Sequence, residues 1–318
     1  MHVSRAESGG DPVGSRPAGA GPRSWYEASA RQRLDLLLDP GSFAEFLAPP
    51  DRVVSPHLAL FDLPHQFDDG IAVGRGRLGG RDVLVAAQEG RFMGGAFGEV
   101  HGAKLTGLVK AARDLASTPV LILFDTGGVR LQEANAGELA IAEIMRAVIE
   151  ARAAGVPVVG LIGGRAGCYG GGGLIAACCS ALVISEQGRI AVSGPEVIET
   201  NRGVEEFDSR DRALVWRTMG GKHRRLIGAA GTFVDDAVAA FRAAAIECIG
   251  ENGAIDAAVL AAEQERLDTR VQRFGTMEDG LDIWAALGIP DPKSVPGMPA
   301  ETFIPLADQF GVNGHDAR

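Results

Sequence analysis

The chain has 318 residues, enough for one large domain or two modest ones, and a formal net charge of −10 at pH 7. This acidic balance argues against general nucleic-acid binding, and no apolar run reaches the roughly 18 residues that a membrane span needs. The four cysteines form no CxxC pair, so we expect neither a structural zinc site nor a disulfide framework and infer a reducing compartment. Because the N-terminus carries no hydrophobic signal core, the cytoplasm is the expected location.

The first part of the chain combines a low-complexity tail with helix and strand patterns. Residues 1–24 are rich in Gly, Pro, Ser, Ala and Arg without periodicity, which predicts a disordered tail. Apolar spacing predicts a helix over 25–38, and a further helical turn is expected over 42–47. Residues 71–78 and 81–88 are predicted to form two strands around a Gly-Gly turn.

Strand and helix patterns alternate beyond residue 90. The predicted helices cover 100–117, 138–153, 234–249 and 255–271, and the predicted strands cover 119–124, 156–162 and 181–185. This alternation predicts parallel βαβ crossovers and therefore an α/β protein. We predict a single domain over 25–285, in which the charged stretch 201–225 is exposed. A loosely structured, Pro-rich segment is expected over 286–318.

Four successive glycines, Gly170 to Gly173, lie between the predicted strand 156–162 and an apolar, Ala-rich helix. Glycines at the start of a helix expose backbone N–H groups that no side chain shields, and the start of a helix carries a partial positive charge. Such a place attracts an anion, or an oxygen on which negative charge develops. Glycine richness alone indicates equally well a hinge for tight packing of strand against helix.

A second glycine-rich loop, over 92–98, also follows an extended segment and precedes a helix. If the strands before the two loops are neighbours, backbone donors from both loops point at one spot and form an oxyanion hole. Such a hole suits thioester chemistry through an enolate, because the enolate oxygen carries far more charge than the parent carbonyl. The donors then stabilise the reacting state more than the ground state.

Three motifs in fixed order carry a family resemblance. They are Phe92-Met93-Gly94-Gly95, then Asp125-Thr126-Gly127-Gly128, then Gly194-Pro195-Glu196-Val197-Ile198-Glu199. In order and spacing they resemble the acyl-CoA carboxyltransferase branch of the crotonase superfamily. With the segment 217–224, the chain is most similar to the malonate decarboxylase β subunits of that branch. The resemblance covers about residues 25–275 and implies a crotonase-like fold, the ββα-superhelix.

The resemblance also implies which glycines form the site. Backbone donors to a thioester oxygen would be Gly94, Gly95, Gly171 and Gly172. Substrate contacts would come from Gly127 and Gly128, on the loop that floors the acyl pocket, and from Gly170 and Gly173; no metal ligand is implied. For Gly127 and Gly128, a turn that needs a positive φ is an equal alternative.

The family reaction implied by the resemblance is decarboxylation of a malonyl thioester to an acetyl thioester and CO2. The substrate would be carried by an acyl carrier subunit on a CoA-like arm, a phosphoribosyl-dephospho-CoA derivative, with no cofactor bound covalently to this chain. A γ subunit of related fold would complete the site, and a transferase subunit would complete the assembly. Two alternatives stay open: a carboxyltransferase subunit of a biotin-dependent acyl-CoA carboxylase or decarboxylase, and a non-catalytic scaffold.

Departures from related families narrow the chemistry. Hydratases of the superfamily carry a catalytic Glu shortly after the glycines, where this chain has Ile175, so water addition is not expected. Decarboxylation needs no such base, because CO2 leaves once the enolate is stabilised. No cysteine precedes Cys168, which argues against the zinc ribbon of the bacterial acetyl-CoA carboxylase β subunit.

Several polar residues near the motifs have open roles. His101 is interpreted either as an acid that protonates the enolate or as a helix residue without a chemical role. Asp125 is expected to cap the turn that follows it, and Cys168, without a neighbouring His in sequence, is not expected to be a nucleophile. The run from Lys222 to Arg225 would either hold the phosphates of the arm or form a solvated surface cluster.

Overall fold

The computed structural model describes residues 24–51, 53–60, 69–115, 118–251 and 253–312, so residues 1–23 of the predicted tail lie outside the described residues. The strands are β1 (Ala44–Phe46), β2 (Ile71–Leu78), β3 (Arg81–Gln88), β4 (Val120–Phe124), β5 (Val158–Ile162), β6 (Cys168–Tyr169), β7 (Ala181–Ser185), β8 (Ile190–Ala191) and β9 (Thr232–Val234). The helices are α1 (Ala30–Leu37), α2 (Pro56–Ala59), α3 (Glu99–Asp114), α4 (Asn135–Ala153), α5 (Gly171–Cys178), α6 (Pro195–Arg202), α7 (Arg212–Met219), α8 (Gly221–Leu226), α9 (Val238–Cys248), α10 (Ala257–Phe274), α11 (Gly280–Ala286) and α12 (Ala300–Phe310). Short 3-10 turns cover Pro49–Asp51, Met93–Gly95, Leu131–Glu133 and Pro292–Gly297.

A seven-stranded sheet in the order β1-β2-β3-β4-β5-β7-β9 organises the molecule, and β6 pairs with β8 in a separate small sheet. The strands β1, β2 and β3 are antiparallel, whereas β3, β4, β5, β7 and β9 are parallel neighbours. This is the crotonase-like α/β fold that the resemblance implied. Strands β2 and β3 have the predicted bounds, because the Gly79-Gly80 turn, with positive φ at both glycines, fixes where the hairpin reverses.

The central strands are buried on both faces because helices cover the sheet on each side. Along β4, Ile122 and Phe124 enter the larger core with α3, α4 and α5, while Leu121 and Leu123 enter a second core with α1 and α9. Successive side chains of a strand point to opposite faces, so a strand between two cores must be apolar throughout. The continuous apolar runs in the sequence have this cause.

Two predicted helices are partly strand in the structure. The turn expected over 42–47 is the edge strand β1, which pairs with β2. The helix predicted to start at residue 234 begins at Val238, after the edge strand β9. Both strands have three residues, too few to show a period of two, and their pairing with a neighbouring strand determines their conformation.

The C-terminal segment and the charged stretch 201–225 differ from expectation. The segment expected to be loose holds the Pro292–Gly297 turn and α12, and its Val295 and Phe303 are fully buried in the larger core. The stretch expected to be exposed includes α7 and α8, where Lys222 and His223 are buried. Lys222 Nζ donates to the carbonyl oxygens of Pro296 (2.9 Å) and Met298 (2.6 Å), which joins the two regions.

The first described residues contact α9 and the segment just before it. Ser24, assigned to the tail from sequence, forms an antiparallel bridge with Ala237 and donates its hydroxyl to Asp236 at 2.6 Å. The next residue, Trp25, is fully buried and stacks on Phe241 with ring centroids 4.1 Å apart. Within the described ranges, none of the helices has the length and apolar character needed to span a bilayer.

Candidate active site

Three loops that the sequence singled out leave the sheet side by side. The loop 92–98 follows β3, the segment 125–128 follows β4, and the segment 163–170 follows β5 and leads into α5. Since β3, β4 and β5 are adjacent parallel strands, their carboxyl ends lie at one edge of the sheet. Open α/β sheets bind ligands at this edge.

The segment Thr126–Gly128 is hydrogen-bonded to both glycine loops. The amide of Gly127 donates to the carbonyl oxygen of Gly94 at 2.8 Å, and the amide of Phe97 donates to the carbonyl oxygen of Gly128 at 2.8 Å. On the other side, the amide of Tyr169 donates to the carbonyl oxygen of Thr126 at 3.0 Å. The two loops therefore flank one shared segment, as an oxyanion hole built from both would require.

The amides assigned as donors differ in whether they are free. Among the described residues, no hydrogen-bond acceptor lies against the amides of Gly94, Gly171 and Gly172, the last two being in the first turn of α5. The amide of Gly95, by contrast, donates to the carbonyl oxygen of Phe92 at 2.8 Å. Gly95 is therefore not a free donor, and its assignment as an oxyanion donor is corrected to that of a turn residue.

The glycines assigned to substrate contact allow a close backbone approach and offer no free hydrogen-bond donor at Gly127 or Gly128. The amide of Gly127 donates to the carbonyl oxygen of Gly94, and the amide of Gly128 donates to Thr126 Oγ1 at 3.2 Å, so neither amide is free to bind a ligand. Gly128 has φ +132° and Gly170 has φ +56°, and a Cβ at Gly170 would stand 3.2 Å from the Cα of Gly128. Both the positive φ and the close backbone approach thus require glycine.

The space around the two glycine loops differs: it is open at Gly94 and filled by protein atoms around the glycines of α5. Gly94 has φ +64°, is exposed, and among the described residues no atom lies within 4 Å of the position a Cβ would take. In α5, a Cβ at Gly171 would meet Ile141, one at Gly172 would overlap Thr126, and one at Gly173 would lie 2.6 Å from the carbonyl oxygen of Ala191. The glycines of α5 therefore permit close packing and also leave free amides.

His101 is buried with both ring nitrogens engaged. Its Nδ1 lies 3.1 Å from the carbonyl oxygen of Asp69, which can only accept, so Nδ1–H is the donor and Nε2 accepts from Gln88 Nε2 at 3.2 Å. Burial, followed by the positive charge of Arg130, holds the pKa of His101 well below its usual value of 6.5. A neutral ring committed to two protein partners supports the interpretation of His101 as a residue without a chemical role.

The remaining polar candidates are also accounted for by the protein. Burial raises the pKa of the Cys168 thiol well above its usual range, so the thiol stays protonated. Asp125 does not cap its own turn; its carboxylate pairs with Arg33 of α1 at 2.8 Å and accepts from the amide of Ala166. Lys222 is neither a phosphate ligand nor a surface residue, because its ammonium is bonded to the two carbonyl groups of the C-terminal segment.

Arg33 is a residue of the site region that the motifs did not indicate. It is 1% exposed, and it shares the buried face of α1 with Ala30, Leu34 and Leu37. An arginine on the apolar face of a helix needs a buried acidic partner, so its position in the pattern was a usable signal. The motifs that carry the resemblance lie in the glycine loops and in 194–199, and none of them includes a residue of α1.

Comparison with known proteins decides the family. Residues 27–220 match the Carboxyl transferase domain. The chain belongs to this carboxyltransferase family. It is 39% identical over 320 aligned residues to malonyl-S-ACP:biotin-protein carboxyltransferase MADC of Malonomonas rubra, covering 91% of this chain and 96% of that protein.

Solved structures of the same family share the fold. A chain of the Pseudomonas malonate decarboxylase hetero-tetramer in complex with malonate matches with a TM-score of 0.75 and 38% identity, covering 82% of this chain and 95% of that one. The 12S transcarboxylase matches with a TM-score of 0.60 and 27% identity over 69% of this chain and 40% of that one. The inferred likeness to malonate decarboxylase subunits is confirmed, and this carboxyltransferase is of the malonate decarboxylase type.

Proposed function

We propose that this carboxyltransferase is the β subunit of a cytoplasmic malonate decarboxylase. With a γ subunit of related fold, it converts a malonyl thioester on an acyl carrier subunit to the acetyl thioester and CO2. The observation that carries the proposal is the pair of free amides, at Gly94 and Gly172, on two loops that are hydrogen-bonded to the same segment. The similarity to malonate decarboxylases over nearly the whole chain supports the choice of substrate.

In the proposed reaction, the amides of Gly94 and Gly172 donate to the thioester carbonyl oxygen. The bond between the α-carbon and the carboxylate breaks, its electron pair becomes the enolate, and CO2 leaves. The enolate carbon then takes a proton to give the acetyl thioester. Each backbone donor is expected to lower the barrier by about 3 kcal/mol, because the oxygen gains charge only as the bond breaks.

The other glycines have supporting roles in this proposal. Gly127 and Gly128 form the floor of the acyl pocket, and Gly170, with Gly171 and Gly173, lets the first turn of α5 approach the thioester closely. The proton for the enolate does not come from His101, which is buried and bonded to two protein groups, or from Cys168, which is buried with a raised pKa. The CoA-like arm stays on the carrier subunit, and a transferase subunit completes the assembly.

A second candidate function rests on a specific observation. The Malonomonas rubra relative, at 39% identity, is a malonyl-S-ACP:biotin-protein carboxyltransferase. In that variant the same enolate forms, but the carboxyl group passes to biotin on a carrier protein and is not released directly. A non-catalytic scaffold is disfavoured because the free amides of both loops are intact.

The test measures CO2 release from malonyl-CoA by the purified chain with and without its γ partner. Release by the pair but not by the isolated chain supports the proposal, whereas release that requires an added biotin carrier protein and that avidin abolishes supports transfer to biotin. Normal assembly of the pair with neither release nor transfer would support the scaffold and contradict the proposal. Because the partner completes the site, inactivity of the isolated chain is the expected baseline.

A further inference from the structure

The carboxylate of Asp125 is buried where α1 meets the segment 163–170 that leads into α5. Its Oδ2 accepts from Arg33 Nη1 at 2.8 Å, and its Oδ1 accepts from the amide of Ala166 at 2.7 Å. The two side chains are 4% and 1% exposed. Arg33 also donates from Nε to the carbonyl oxygen of Trp25 at 2.9 Å, so the pair is bonded to the segment before α1 as well.

Two glycines hold the same carboxylate from opposite chain segments. A Cβ at Gly90, just before the loop 92–98, would stand 2.5 Å from Asp125 Oδ1. A Cβ at Gly164, in the segment 163–170, would overlap the carboxyl carbon of Asp125. The backbone carbonyl of Asp125 likewise leaves no room for a Cβ at Gly95. The position of Asp125 thus determines where both loops can run.

The backbone of Asp125 belongs to a further buried network. Its amide donates to Gln88 Oε1 at 3.1 Å, and Gln88 Nε2 donates to His101. The next residue, Thr126, donates its amide to the carbonyl oxygen of Gly167 at 2.8 Å. Asp125 is therefore fixed by side chain and backbone at the start of the segment that both loops share.

We propose that Asp125, held by Arg33, is a positioning residue that sets the relative placement of the two glycine loops and so of the Gly94 and Gly172 amides. The proposal rests on the function proposed above. Asp125 does not reach the substrate; it acts through the amide of Ala166 and through contact with Gly90 and Gly164. Misplacement of reacting groups by about 1 Å can cost about 100-fold in rate.

Two variants disturb this arrangement in different ways. Asp125→Asn keeps an oxygen that accepts from the Ala166 amide. It places the neutral NH2 group against the Arg33 guanidinium, which loses both its acceptor and its counter-charge. Gly164→Ala keeps both charges and displaces the carboxylate by contact. In both we expect kcat to fall about 10-fold or more while KM changes less than about threefold, because loop placement governs the reacting state.

Each variant has a matched control elsewhere in the chain. Asp279→Asn breaks the Arg217–Asp279 pair, which joins α7 to α11 and contacts neither loop. Gly107→Ala adds a methyl group in the middle of α3, where among the described residues nothing lies within 4 Å. Both controls are expected to leave kcat within about twofold of the wild type, since neither changes the position of a donor.

Amide hydrogen exchange supplies a readout that does not depend on turnover. Exchange over 92–98 and 164–173 is expected to rise about 10-fold in the two Asp125-directed variants and to stay unchanged in the controls.

If the wild-type pair releases no CO2, the proposed function fails, while the exchange result still decides whether Asp125 positions the loops. Unchanged exchange in both loops, or lower melting temperature with unchanged kcat, would overturn the positioning role. Should neither variant assemble with the γ partner, Arg33→Lys is measured with the same readouts and the same criteria.

Discussion

The amide of Gly127 donates a 2.8 Å hydrogen bond to the carbonyl oxygen of Gly94. This bond turns the Gly94 peptide so that its oxygen is used inside the protein, while among the described residues the Gly94 amide has no acceptor. The loop after β4 therefore holds the loop after β3 in place. The amide of Gly172, on the far side of Thr126, completes the proposed pair of donors.

Replacing Gly172 tests the role of its amide. Gly172→Pro removes the N–H, and the fixed φ of proline suits the first turn of a helix. Gly172→Ala is the control, because its Cβ meets the same Thr126 methyl group while the N–H stays. We expect kcat/KM for malonyl-CoA in the proline variant to lie about 100-fold or more below that of the alanine variant. Equal values in two folded variants would reject the assignment of Gly172.

Sequence patterns predicted the parts of this fold that local chemistry determines. The hairpin β2–β3 follows from the Gly79-Gly80 turn, and β4, β5 and β7 follow from apolar runs between two cores. The glycine motifs located the two loops. Short strands such as β1 and β9 depend on pairing with strands far away in the chain. Their own three residues are too few to predict a strand.

The buried polar groups of the site were harder to predict. Arg33 and Asp125 are 92 residues apart, and although the apolar face of α1 indicates that Arg33 needs an acidic partner, nothing local identifies Asp125 as that partner. Gly95 resembles Gly94 in sequence, yet only the path of the 3-10 turn determines that the Gly95 amide is already bonded to Phe92. Whether a backbone donor is free is a property of tertiary structure, and a motif alone does not contain it.

Phe303 tests whether the C-terminal segment is part of the core. Its side chain is fully buried and meets the Phe233 ring edge-on at 4.6 Å between centroids. Phe303→Ala is expected to lower the free energy of unfolding by about 3–5 kcal/mol, measured by urea denaturation. The neighbouring Ile304 is 36% exposed, so Ile304→Ala should cost clearly less. Similar small effects in both variants would restore the expectation of a loose segment.

His223 makes the stability of the protein depend on acidity. Burial, followed by the charge of Arg224, lowers the pKa of His223 from 6.5 to about 3. Between these pH values the unfolded chain binds a proton at His223 that the folded chain does not. The contribution of His223 to the free energy of unfolding is therefore fully present above about pH 6.5 and falls as the pH drops. The expected loss is about 1.4 kcal/mol per pH unit for this residue.

The variant His223→Asn removes this titration. Its amide oxygen can accept the hydrogen bond that Trp284 Nε1 gives to His223 Nδ1 at 3.3 Å. Unfolding measured at several pH values between about 4 and 5.5 should therefore show a slope smaller by about 1.4 kcal/mol per pH unit than that of the wild type. Parallel slopes for the two proteins would mean that His223 is not buried in its neutral form.

Cys168 lies next to Gly172, one of the two proposed donors, and tests whether the reaction is covalent. A Cβ at Gly172 would stand 3.6 Å from its Sγ, yet the thiol is fully buried and its pKa is raised by burial. A protonated thiol is a poor nucleophile, so Cys168→Ala should keep kcat within about threefold of the wild type, measured as CO2 release by the assembled pair. The native thiol should also resist iodoacetamide in the folded protein, as mass spectrometry of the labelled chain would show. A loss of about 1000-fold in the folded alanine variant would instead indicate an acyl-enzyme and contradict direct release of CO2 from the carrier-bound thioester.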